Sequence, residues 1–480
     1  MQHKFIINLA FVLFLNLLVK PFYILGIDTE VLNRVGEETY GNYFALISFS
    51  FLMNIFLDAG ITNFNTKNIA QHSQLLQKHF SNIIVVRMLL ALAYLLLISV
   101  AGFVLGYSAN QLLLLLVLGF NQMLVAFILY FRSNLSGLHL FVQDSIISVL
   151  DRVLLIGFIG ILLWGNVTEK PFQIEWFVYG QTGAYGLTTI VAFLLVLRKA
   201  SSFRLTWNVP FTYMILKQSA PYALLILLMS IYYRSDSVML ERLLPAGAYH
   251  AGVYAQGFRF FEAANMIAYL FAALLLPIFS RMLSRKEPID DLLRLSFRIL
   301  MTGALILGIS CAFYAETILS LRYDVVSEHA VKSFAILMFC FIPHCSTYIF
   351  GTVLTANGSM RLLNILAGSG MVLNIVLNLF LIPHYFAFGS AVASLITQIL
   401  TAGFQLLLVL YIFKLSVDWK LVRSVLLFTG GVLIIGWWTM GITGMKVYDF
   451  LLMCGVCVVW VFVSGMLSRQ ALVSLLRNRS

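Results

Sequence analysis

Charge is scarce in this 480-residue sequence: only 11% of it is Asp, Glu, Lys or Arg, while 61% is hydrophobic. A soluble fold could not hide that much apolar surface, so the composition defines a polytopic membrane protein, all-α because each span must satisfy its own backbone. Long polar stretches are also missing, and the longest connection between apolar runs on the side away from the N-terminus, residues 316–332, leaves no room for a soluble domain. Cysteine is limited to Cys311, Cys340, Cys345, Cys454 and Cys457, all in or near apolar runs. The Cys454–Cys457 CxxC lacks the other ligands of a metal site, so these thiols read as structural. The N-terminus carries one Lys before its apolar run and no small-residue cleavage site, so it is expected to be a retained span.

About 20 residues of helix cross a bilayer, and about fourteen such segments can be placed. They run over 5–26, 40–60, 80–104, 111–132, 141–164, 174–197 and 210–233, then 250–279, 293–315, 333–355, 361–382, 387–413, 421–441 and 448–467. The eighth is long enough to tilt. With the N-terminus inside, eighteen Lys and Arg fall in cytoplasmic stretches against seven on the other side, which places both termini in the cytoplasm. The formal charge of +11 is spread over many short loops rather than gathered on one face. Topology therefore accounts for it, and nucleic acid is not an expected partner.

A faint repeat has an offset near 210 residues. Tyr40-Gly41-Asn42-Tyr43 returns as Ala251-Gly252-Val253-Tyr254, and Tyr179-Gly180-Gln181 as Phe388-Gly389-Ser390. Six spans per unit is an even number, so two pseudo-symmetric lobes, 1–205 and 206–415, would share one orientation, with 416–480 an appended helix pair and cytoplasmic tail. That is a transporter's plan.

Six basic residues lie inside apolar spans: Lys20, Arg87, Arg152, Lys217, Arg259 and Arg298. A cation at mid-bilayer costs roughly 3 kcal/mol on insertion scales, so such residues are expected to face a bundle interior or wet cavity. Arg152 is at the midplane, about 16 Å along its helix at 1.5 Å per residue. Lys20 follows Asn16 by one turn and precedes Pro21, which invites a kink. Arg259 shares a helical face with Glu262. Arg87 and Lys217 lie nearer the cytoplasmic ends, and Arg298 is shallow enough to snorkel. Even with Asp151 and Glu262 fully paired, several cations are left over. Lys20, Arg87, Arg152, Lys217 and Arg259 are therefore candidate contacts for an anionic substrate, the alternative being that they only stitch helices together. Asp58, Asp151 and Glu262 are candidate coupling sites for H⁺ or Na⁺; no other cofactor and no metal is expected.

The run Arg34-Val35-Gly36-Glu37-Glu38-Thr39-Tyr40-Gly41, followed by Leu57-Asp58-Ala59-Gly60-Ile61, resembles the opening signature of the polysaccharide-exporter branch of the multidrug/oligosaccharidyl-lipid/polysaccharide exporter superfamily. Asp236, Gly252-Val253-Tyr254, Pro277, Asn374, Asn378 and Pro383 are similar to that family's later landmarks. The resemblance implies a non-enzymatic flippase of the bacterial inner membrane. It would move an undecaprenyl-pyrophosphate-linked oligosaccharide (O-antigen, capsule or exopolysaccharide unit) between leaflets by alternating access. Membrane lipids, a polysaccharide polymerase and glycosyltransferases would be its partners. A lipid II flippase is the alternative. A multidrug exporter fits less well, since no acid lies between Lys4 and Asp28, and a polymerase or ligase less well, since no sizeable external loop exists.

Overall fold

The computed structural model describes residues 15–62, 65, 69, 74–138, 140–165, 167–200 and 208–466, and no strand occurs among them. Eleven helices of the described residues are long and apolar enough to cross a membrane, against the fourteen spans expected. The difference falls at two places. Expected spans eleven and twelve form one 54-residue element, Met360–Phe413, which turns at Phe386 (φ 54°, ψ −136°) just after Pro383. Gly389 lets the turn close, because a Cβ there would sit 2.4 Å from the Leu381 carbonyl oxygen.

Expected spans one and two are likewise joined, in helix running from 15 to 52 and broken at Gly36 (φ 78°, ψ 166°). Positive φ at low cost is what glycine supplies. Glu37, Glu38 and Asn42 make the following segment too polar to count as an apolar span, and the first span begins outside the described residues. The kink expected at Pro21 takes the form of a π-helical stretch, Tyr23–Asp28, directly after it. The seventh span, expected to end at 233, continues through a polar stretch as Val209–Leu243, and the eighth is longer still, Gly247–Ser284, with Pro277 inside.

The chain divides into two compact units, Met1–Gly252 and Val253–Ser480. In the first, Ala109–Gly137 is central and packs on Thr29–Leu52, Leu75–Val104, Phe141–Trp164 and Ile174–Ala200. Tyr40, Tyr43, Phe44, Tyr94, Tyr130 and Phe177 are fully buried there. Gly41 permits the closest approach: a Cβ on it would stand 1.8 Å from the Ala248 carbonyl oxygen, and one on Gly252 would stand 2.0 Å from that of Glu37.

In the second unit Glu328–Ala356 packs on both Asp290–Phe313 and Met360–Phe413, and the last two helices, Trp419–Thr439 and Lys446–Val463, pack on Asp290–Phe313. That pair is fastened at both ends. Arg294 Nη1 donates to Asp418 Oδ2 (2.8 Å), Lys446 Nζ to Glu316 Oε2 (2.8 Å), and Tyr314 OH to Thr439 Oγ1 (3.0 Å). Asp418 caps Trp419–Thr439, and its carboxyl is held below the usual range by the Leu421 amide above all, with the Lys420 amide and Arg294 adding to it. The five cysteines are free thiols, four of them buried.

Candidate functional site

Asn16 and Lys20 lie one turn apart on the first helix, and Ser148 and Arg152 one turn apart on Phe141–Trp164. Asn16 Nδ2 donates to Ser148 Oγ (3.0 Å), which sets the two faces together. Lys20 is thereby within electrostatic reach of both Arg152 and Arg132. Arg152 Nη1 donates to Tyr185 OH (2.6 Å) from Ile174–Ala200, and its guanidinium lies 4.8 Å from the centre of the Tyr23 ring. Its Nε is 3.8 Å from Asp151 Oδ2, a loose pairing, and its side chain keeps 26% exposure. Arg132 is tied to Asp144 at 2.7 Å.

This is a cationic cluster from four helices of the first unit, braced by two aromatic rings and only partly neutralised. Cation–π contact of this kind contributes about 0.5–2 kcal/mol, so the rings position Arg152 without removing its charge. Sequence reasoning found Lys20 and Arg152. It missed Arg132, taken as a topology charge at a helix end, and the two tyrosines, which nothing in their spacing distinguished from packing residues.

Arg87 and Asp58 stand differently. Both were expected to serve separately, as substrate contact and coupling site, yet the Arg87 side chain is 2% exposed and pairs directly with Asp58. Thr62 joins the pair through its hydroxyl, Arg87 Nη1 donates to the Ala126 carbonyl (2.9 Å), and the Tyr130 ring centre is 4.9 Å away. The left-handed residues Ala59 and Gly60 (φ 45° and 78°) put Thr62 back toward Asp58. Arg87 is thus absorbed by protein groups, so the unpaired cation count was too high. Its partner sits on another span, and the rotational phase between two helices cannot be read from sequence.

In the second unit Arg259 Nη1 donates to Glu262 Oε2 (2.7 Å), the pairing expected from their spacing. Lys217, on Val209–Leu243 in the first unit, is exposed beside an exposed Tyr213, 6.0 Å from its ring centre. Of the signature residues, Arg34 bonds Glu30 (3.0 Å), Tyr40 OH donates to Asp28 (2.7 Å), and Asn378 Nδ2 donates to Asn374 Oδ1 (3.0 Å). Asp236 and Tyr254 are buried. Of these bonds, only Tyr40 to Asp28 joins the two helical segments on either side of Gly36; the other two lie within a single helix.

A model of the polysaccharide biosynthesis protein family matches residues 30–283, more than half the chain, and the chain belongs to that family. No curated protein matches it in sequence. Among solved structures, the fold is similar to the lipid II flippase MurJ in its inward closed conformation, at 14% identity and a TM-score of 0.67, over 95% of this chain and 98% of that one. It is also similar to an inward-facing multidrug resistance MATE transporter of the MOP superfamily, at 14% identity and 0.58, over 82% and 94%. A MOP superfamily transporter from Pyrococcus furiosus, whose binding pocket is described as reversed in polarity, follows at 15% identity and 0.58, over 86% and 96%. The protein is therefore a multi-pass membrane protein with the fold of the multidrug/oligosaccharidyl-lipid/polysaccharide exporters.

Proposed function

We propose that this chain is a flippase that moves an undecaprenyl-pyrophosphate-linked oligosaccharide across the bacterial inner membrane by alternating access. The two lobes would be 1–205 and 206–415, with both termini cytoplasmic. The observation that carries the reading is the Lys20–Arg152 cluster in the interior of the first unit, with Arg132 in reach and a single loose carboxylate partner. A pyrophosphate offers paired oxygens that a guanidinium takes bidentately, while the ammonium adds a point charge. Arg259 is the corresponding group in the second unit, and Lys217 an accessory one. Arg87 is left out, being enclosed and already paired with Asp58 and Thr62.

Coupling follows from the same pairs. Asp151 and Glu262 each partner a cation assigned to phosphate. An arriving pyrophosphate would compete for that cation and leave the carboxylate to take up H⁺ or Na⁺. Membrane potential would act on the bound charge at about 2.3 kcal/mol per charge per 100 mV. A polysaccharide polymerase and glycosyltransferases would stand on either side of this step. The likeness to MurJ over nearly the whole chain supports lipid II as the second candidate cargo.

Binding of undecaprenyl pyrophosphate to purified protein, read by native mass spectrometry, tests the site. Arg152→Gln and Lys20→Gln should each weaken it about tenfold or more, as loss of a charged hydrogen bond does. Unchanged binding in both variants would refute the assignment. Loading vesicles with lipid II or with a polysaccharide repeat unit then decides between the cargoes.

A further inference from the structure

The first unit holds a cavity of about 730 Å³ that no part of the phosphate site uses. That volume is within the ~300–1,000 Å³ range of small-molecule sites. It lies where four helical segments begin: after the break at Gly36, and at the starts of Ala109–Gly137, Ile174–Ala200 and Gly247–Ser284. Its polar walls include Glu38, Asn42, Asn110, Gln111, Glu175 and Tyr179.

Glu38 and Glu175 alone would suggest a cation. Both sit in the first turn after a helix start, where the positive end of the backbone dipole accounts for a carboxylate and offsets its charge. No group of three His, Cys, Asp or Glu among the described residues is arranged to hold a metal. The amides are not explained in that way. Gln111 Nε2 donates to Asn42 Oδ1 (2.8 Å), and the Ser108 amide donates to Gln111 Oε1 (3.0 Å), so both side chains are held in fixed orientation. The second Nε2 hydrogen of Gln111 goes to Glu241, so the Asn42 Nδ2 hydrogens are the donors left to face a ligand, with the spare lone pairs of both amide oxygens as acceptors. Tyr179 presents a ring 55% exposed on the same cavity.

Fixed amides that both donate and accept, beside an aromatic ring with a polar tip, fit the hydroxyls and C–H face of a pyranose. We propose that this cavity binds an uncharged sugar. The sugar is the glycan of the transported lipid, an assignment that rests on the flippase proposal, whereas sugar binding itself does not.

Saturation-transfer-difference NMR on the full chain in nanodiscs, with methyl glucoside, methyl N-acetylglucosaminide and methyl glucuronide as probes, tests it. Neutral glycosides should take up saturation and the anionic glucuronide far less, since Glu38 and Glu175 repel it. Asn42→Leu and Gln111→Leu should each weaken neutral-sugar binding about five- to tenfold, the first by removing the free donors and the second by releasing Asn42 from its fixed orientation, while Arg152→Gln leaves it unchanged. A lipid-linked oligosaccharide should displace the free glycoside. No signal from either neutral probe, or equal signal from the glucuronide, overturns the site without any variant having to fold. Unchanged binding in the two leucine variants overturns it as well. Sugar binding that the lipid-linked oligosaccharide cannot displace overturns the cargo assignment and leaves a site for free saccharide. Loss of pyrophosphate-lipid binding in Arg152→Gln is read separately, so the two proposals fail independently.

Discussion

At the scale of single residues, depth in the membrane and the identity of the partner decide what a buried cation does. Arg152 keeps an exposed edge and a distant carboxylate, whereas Arg87 is enclosed and directly paired. Removing one member of a buried pair strands the other, at a cost of about 3–5 kcal/mol, while removing both costs less than the sum. Arg87→Ala is therefore expected to lower the melting temperature of the detergent-solubilised protein strongly. Adding Asp58→Ala should recover part of that loss. Strict additivity of the two substitutions would show that the pair is not coupled. Sequence made Lys20 and Arg152 legible because a cation amid apolar neighbours is conspicuous, and Arg259 with Glu262 because three-residue spacing sets their faces. It could not pair Arg87 with Asp58.

Among the elements, two features carry stability that substitution can reach. Gly41 and Gly252 let two helical segments touch backbone to backbone. Gly41→Ala should cost about 1–3 kcal/mol by overpacking, read as a fall in melting temperature; a tolerated alanine would mean the crossing is looser than its geometry. The repeat that drew attention to Gly41 and Gly252 thus has a packing reason, and the merging of spans at Gly36 and Phe386 shows why span counts drift. Turns so short are set by one residue's φ, which apolar periodicity does not report.

Asp418 fastens the last helix pair. Its folded carboxyl titrates below the usual range, so its contribution is present above about pH 4, the ordinary carboxylate value, and is lost as pH falls through the folded value. Asp418→Ala should cost about 1 kcal/mol near neutral pH as a lost N-cap, and Asp418→Asn less, since Asn also caps. The difference between Asp418→Ala and wild type should shrink on acidification of a thermal melt. A gap that is constant with pH would remove the charge from the explanation.

For the whole molecule, composition already dictated a helical membrane protein, and the signature from Arg34 to Pro277 falls within the matched family region. The cavity at the helix starts was not legible, because Asn42, Gln111 and Tyr179 come from three segments distant in sequence and each reads as an ordinary helix-end polar residue. Under the proposed function, the cations Lys20 and Arg152 inside the first unit carry a lipid pyrophosphate across the membrane. The most direct test is the rate at which reconstituted protein moves a lipid-linked oligosaccharide between leaflets of sealed vesicles, wild type against the Lys20→Gln, Arg152→Gln double variant at equal protein content and matched melting temperature. A rate at least about a hundredfold lower is expected in the double variant, from two charged hydrogen-bonding groups lost. Transport at the wild-type rate would contradict it.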